Sequence, residues 1–260
     1  MLINKYWLET RNRFFIGLLF IAALCMFFVL AQPWILERWR MDEIKDPKIY
    51  NPPWLLIAKD NYSYFIWHFL YNYMLQFTWA IFTLMLALGG LNYEHERGSA
   101  LFTLSLPIAR GKLFFQRMMI GFLEASLLAL LPVIIIPLFS KFIGIPYTLN
   151  NALQHSILFI AGGTVYYGLG LLINAIIKTE TVAFFIGIGL IILFYFLFQP
   201  YSEGMDKPFY LSLIDLPGFI AGKATPLLFT MEWWKGFGLC LGMSLLLLFI
   251  SYRITLKRDF

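Results

Sequence analysis

Six stretches of this chain are each long and apolar enough to approach the span of a lipid bilayer, and nothing else in the sequence constrains its fold as strongly. They are 14–31, 65–90, 118–139, 155–177, 181–199 and 236–252. A helix of about 20 residues covers the roughly 30 Å of bilayer hydrocarbon. In that solvent a backbone must satisfy its own hydrogen bonds, which an α-helix does within one segment. Only one of the six stretches holds an Asp, Glu, Lys or Arg, namely Glu124 in the third. A mid-span charge costs about 2.5–3.5 kcal/mol on insertion scales, so this exclusion is a strong signal. Composition agrees, with 60% hydrophobic and 13% charged residues, against about 25% charge in soluble domains. A single water-soluble core is excluded. The expected fold is an all-α membrane protein, one transmembrane domain over 1–260.

Six spans put both termini on one side. With the N-terminus inside, the inner segments hold 11 of the 20 Lys and Arg, at about twice the density of the outer loops. That is the direction the positive-inside rule expects. The expected location is therefore the cell membrane, multi-pass, with both termini cytoplasmic. The net charge of +5 belongs to these flanks and not to a nucleic-acid surface. Lys5, Trp7, Arg11 and Arg13 mix bases with an aromatic ring ahead of the first span, as a short N-terminal interfacial helix would. Two outer loops are expected, 32–64 and 200–235. Trp34, Trp39, Trp54, Trp67, Trp233 and Trp234 fall near the expected boundaries, as an aromatic belt does. Cys25 and Cys240 lie in apolar runs and read as packed thiols.

The inner loop between spans two and three, 91–117, has an ordered pattern. A charged stretch, Glu94 to Arg97, leaves the membrane. Gly98-Ser99 follows, then a run with Leu101, Leu104, Leu106 and Ile108. Pro107 biases Leu106 away from helical geometry. Arg110, Lys112 and Arg117 then lead into span three. This is a short, half-apolar helix held just outside the bilayer, of the kind that docks into a groove on a soluble partner.

The loop resembles the signature of permeases in the type-2 export family of ABC transporters. That signature is an acidic pair, Gly-Ser/Thr, a Leu-rich stretch, Ser-Leu-Pro, a small residue and Arg. Glu94, Glu96, Gly98, Ser99, Leu104, Ser105, Leu106, Pro107 and Arg110 match it. Ala100 and Leu101 depart from it, because the family often has an acid there. The resemblance implies a cytoplasmic coupling helix, with Glu94, Glu96, Arg97, Gly98, Ser99, Leu104, Leu106, Pro107 and Arg110 meeting an ABC ATPase. It implies two ATPase copies per complex and a second permease copy or related permease. ATP and Mg would be bound by the partner, and no cofactor by this chain. The implied function is outward export powered by that ATPase.

Within the spans, Tyr64, His68, Asn72 and Gln76 recur every four residues and so share one helix face. Polar groups in lipid are costly unless satisfied. This face either lines a translocation path or makes hydrogen bonds between helices. Glu124 reads either as a gate or cargo contact, or as a carboxylate paired with a neighbouring helix. Gly238 and Gly242 in span six, and Gly162, Gly163, Gly168 and Gly170 in span four, permit close helix packing.

Residues 218–225 mimic a phosphate loop but fail its spacing. Three residues, not four, separate Gly218 from Gly222, and Ala224 follows Lys223. The sequence has no His-Glu-x-x-His helix and no Gly-x-Ser-x-Gly elbow, so neither a metal site nor a catalytic site is expected. An ion-coupled secondary transporter usually shows buried charges at matching positions in two halves, and only Glu124 is present. A non-transporting membrane sensor or immunity protein is the other alternative. The abundance of Phe and Tyr, 27 and 14, points to a hydrophobic or amphipathic cargo, such as a membrane-active peptide, drug or lipid.

Overall fold

The computed structural model describes residues 2–45, 53–89, 109–202 and 231–257. All of these residues are helical or connect helices. The helices are α1 Leu2–Lys45, α2 Pro53–Asp60, α3 Tyr62–Ala87, α4 Arg110–Phe142, α5 Leu149–Ile176, α6 Glu180–Ser202 and α7 Met231–Lys257. Five of them, α1, α3, α4, α5 and α7, are long and apolar enough to cross a bilayer. α6 runs Glu180–Ser202, and its side chains are described as far as Tyr195.

The helices outrun the apolar stretches inside them. α1 begins at Leu2 and continues to Lys45. The expected interfacial helix is therefore not a separate element but the opening turns of α1. The reason is local: Gly17 and Pro33 are the only breakers in its length. Pro33 lies inside the helix, where it removes one backbone donor. The expected outer segment 32–64 thus starts within α1, and it also contains α2. Residues 110–117 of the expected coupling loop are the first turns of α4. The remaining loop residues named above, Glu94, Glu96, Arg97, Gly98, Ser99, Leu104, Leu106 and Pro107, lie outside the described residues, as does most of 200–235.

α3 is not uniform. Asn61 caps it, accepting from the Tyr64 backbone N–H at 3.1 Å. Residues Ile66–Leu75 are then wound as a π-helix, closed by Gln76 N–H donating to the Tyr71 carbonyl five residues back. His68 and Tyr73, also five apart, have ring centroids 5.0 Å apart. An α-helix would turn them well away from each other. The chain returns to α geometry at Gln76 and holds it to Ala87.

The helices alternate in direction. α1, α4 and α6 start at one end of the bundle, and α3, α5 and α7 finish there. Arg13 of α1 meets Met85 and Leu88 at the close of α3 and Glu180 at the start of α6. Tyr252 of α7 lies against Gly111 of α4. At the far end, the Tyr62 hydroxyl lies 2.7 Å from that of Ser140, and Trp39 packs on Phe69.

α5 is the hub and packs against α3, α4, α6 and α7. Its small residues make this possible. A Cβ on Gly163 would stand 1.9 Å from the Trp79 ring, and one on Gly170 would stand 2.6 Å from Ala87. Around this hub the outward faces are apolar: Leu19 on α1, Ile134 on α4, Phe185 on α6 and Leu245 on α7 are each about two-thirds exposed. Exposed apolar surface of that extent marks contact with lipid or protein. Gly238 and Gly242 meet nothing within 4 Å, so the close packing expected there is not made among the described residues.

Gly163→Ala should destabilise the protein by about 1–3 kcal/mol, because the methyl overlaps an indole that cannot retreat. Gly189 faces open space, so Gly189→Ala should be neutral or gain up to about 1 kcal/mol in helix propensity. Thermal unfolding of the two purified variants checks the pair. Equal melting temperatures would contradict the packing of α3 on α5.

Candidate functional site

The polar groups of the bundle concentrate where α3 ends, at the entrance to the 90–108 segment. Leu88 is extended, at φ −82° and ψ 159°. Gly89 then takes φ +107°, a left-handed conformation that a side chain resists. A Cβ there would also stand 3.0 Å from Arg117 Nη2 and 3.5 Å from Arg13 Nη1. Two guanidinium groups thus occupy the space that glycine leaves.

Asn174, near the C-terminus of α5, grips this turn with both arms of its amide. Its Oδ1 accepts from the Gly89 N–H at 3.4 Å, and its Nδ2 donates to the Gly89 carbonyl at 3.2 Å. Arg13 donates to the carbonyls of Met85 and Leu88, both at 2.9 Å, and pairs with Glu180. The arrangement follows the helix dipoles. A cation sits at the C-terminal carbonyls of α3, and an anion sits in the first turn of α6. One side chain therefore ties three helices together, and Asn174 adds a fourth.

Beside this clasp lies a second layer. Arg117, Gly121 and Glu124 share one face of α4, at helical spacing. The Tyr167 hydroxyl of α5 lies across Gly121, 2.4 Å from where a Cβ would be. Glu124 is 3% exposed. Its Oε1 accepts from the Thr10 hydroxyl of α1 at 2.5 Å. Its Oε2, the Arg117 Nε, the Tyr167 hydroxyl and the Gln116 Oε1 have no hydrogen-bond partner among the described residues. Arg117 acts electrostatically on Glu124, and not every polar atom here is bonded. Such an arrangement can trade partners when helices shift.

Of the residues singled out from sequence, Arg110 opens α4, and Glu124 belongs to this end of the bundle. His68 and Asn72 lie half-buried on the π-helical part of α3, and Gln76 is buried where that part ends. The four do not form one cluster. Trp79 donates to the Ala125 carbonyl at 3.4 Å, which sets Glu124 level with the later turns of α3, away from His68. His68 stacks on Tyr64 instead, at 5.7 Å. Sequence reasoning passes over Arg13, Gly89, Asn174 and Glu180. Arg13 reads there as an orientation charge, and Glu180 lies between the 155–177 and 181–199 stretches. Asn174 carries a usable signal, being an amide inside an apolar run. Among the described residues, no group of three His, Cys, Asp or Glu could hold a metal ion.

A double-mutant cycle measures the clasp. Arg13→Gln and Glu180→Gln should couple by about 1 kcal/mol in thermal unfolding, because the pair is mostly but not wholly shielded from water. Strict additivity of the two single changes would show that the pair contributes nothing.

A family profile described as ABC-2 family transporter protein matches residues 10–260. No curated protein matches the chain. Coverage by that profile, together with the five long apolar helices, shows that the chain belongs to the ABC-2 family of transporter proteins, as a multi-pass membrane permease and not an ATPase.

Proposed function

We propose that this permease is the transmembrane half of an ATP-driven exporter with six spans, and that 91–117 is its cytoplasmic coupling element. Two ABC ATPase subunits bind ATP and Mg, and a second permease copy or a related permease completes the complex. Both termini face the cytoplasm. Glu94, Glu96, Arg97, Gly98, Ser99, Leu104, Leu106, Pro107 and Arg110 form the contact with the ATPase. The cargo is hydrophobic or amphipathic, in keeping with the aromatic-rich spans, and moves outward past His68, Asn72, Gln76 and Glu124.

The observation that carries this reading is the clasp at the entrance of the coupling segment. Gly89, the last described residue before it, is gripped by Asn174 of α5. The α3 carbonyls just before Gly89 are held by Arg13, which also reaches α6. The closing residues of the segment, 110–117, are already the first turns of α4. A force on the segment therefore acts on four or five helices together, as a lever needs.

Co-purification from the native membrane should recover an ABC ATPase with the permease. In the reconstituted complex, Gly98→Leu or Pro107→Ala should leave basal ATP hydrolysis intact and abolish its stimulation by cargo. Asn174→Leu removes both arms of the clasp and should lower transport about tenfold at unchanged basal hydrolysis, the size of an ordinary coupling energy. Transport that continues with no ATPase bound would end this reading.

A further inference from the structure

The far half of the bundle contains a second polar cluster, buried within helices that otherwise pack by apolar contact. The hydroxyls of Tyr71, Tyr147 and Ser156 and both ring nitrogens of His155 have no hydrogen-bond partner among the described residues. His155, Ser156 and Tyr71 are fully buried, and Tyr147 is 6% exposed. They come from three elements: the π-helical part of α3, the connection between α4 and α5, and the second turn of α5. The His155 imidazole stacks on the Tyr71 ring, with centroids 4.2 Å apart. Tyr147 and Cys25 are the titratable neighbours of Tyr71. Phe159 closes the cluster on the bundle side, 5.7 Å from Tyr71.

Ring stacking does not satisfy these atoms. An imidazole nitrogen donates or accepts in the plane of its ring, so a partner must come from the edge. Folded proteins pair roughly 90% or more of their buried polar groups, with protein or with ordered water. Five orphaned atoms on neighbouring side chains therefore call for a partner from outside the side-chain packing. The partner's chemistry follows from the lining. Among the described residues no charged group acts on His155, and burial pushes the Tyr147 hydroxyl up, further from ionisation. The lining is uncharged, offers both donors and acceptors, and has aromatic walls. Long π segments are rare and recur at functional sites; here one supplies Tyr71.

We infer that Tyr71, Tyr147, His155 and Ser156 form an internal binding site for an uncharged hydrogen-bonding group, filled by water or by the hydroxyl head of an amphipathic molecule. The inference rests on these groups alone and holds whether or not 91–117 couples to an ATPase.

Thiol accessibility tests it on the full-length chain in lipid nanodiscs, with Cys25→Ala and Cys240→Ala as background. Ser156→Cys should react with a small water-soluble methanethiosulfonate at least about tenfold faster than Leu84→Cys, because Leu84 is equally buried but packs against Gly170 and Gly187, away from the cluster. Equal, slow labelling of both would overturn the site. Submicellar octyl glucoside, a neutral hydroxyl-headed amphiphile, separates the two sources. Slowed labelling of the Ser156→Cys variant assigns a headgroup, and unchanged fast labelling assigns water. A second measurement needs no introduced thiol. If a partner fills the site, Ser156→Ala loses a hydrogen bond and lowers the melting temperature by about 2–4 °C. If the hydroxyl is dry and unpaired, its removal leaves the melting temperature unchanged or raises it, which would also overturn the site.

Discussion

Arg13 holds a full charge at the margin of a bundle whose outward surface is hydrocarbon-like, and the structure around it is arranged to meet that charge. A guanidinium presents a fork of donors and stays protonated. Here the fork is filled by two main-chain carbonyls left over at the end of α3 and by the carboxylate that opens α6. Each of those acceptors needs a partner of its own. The last carbonyls of any helix lack partners within it, and a carboxylate at a membrane boundary is costly alone. One side chain satisfies all three, and α1, α3 and α6 cannot then move independently at this end.

The charged end and the middle of the bundle are therefore held by different physics. Near the 90–108 segment the helices are joined by charge and by the Asn174 amide, interactions that can change partners. Through the middle they are joined by apolar fit, with Trp79 pressed into the space over Gly163 and stacked on Phe159 at 5.4 Å. Contacts of that second kind resist gradual deformation, because a close-packed interior has few intermediate arrangements.

Much of this architecture is legible in the sequence. The apolar runs locate the helices because lipid leaves so few ways to fold, and the Glu94–Arg110 pattern points to the family. What is not legible depends on pairing across the chain. Nothing near Arg13 announces Glu180, which lies 167 residues away, and the isolated amide of Asn174 has meaning only beside the turn at Gly89. The helix ends escape for a related reason. Hydropathy reports where lipid begins, whereas α1 and α4 run on into polar sequence, α1 passing through Pro33 without stopping. The every-fourth-residue face of Tyr64, His68, Asn72 and Gln76 assumes a regular α-helix, and the π winding of 66–75 alters it.

That winding also affects how rotation travels along α3. A π turn takes in more residues than an α turn, so the segment before Gln76 is underwound relative to the segment after it. Unwinding or rewinding even one such turn changes the angular phase between the aromatic half, around His68, and the carbonyl-bearing half that Arg13 holds. α3 is thus two screws of unequal pitch joined at Gln76, and twisting one end need not turn the other by the same angle.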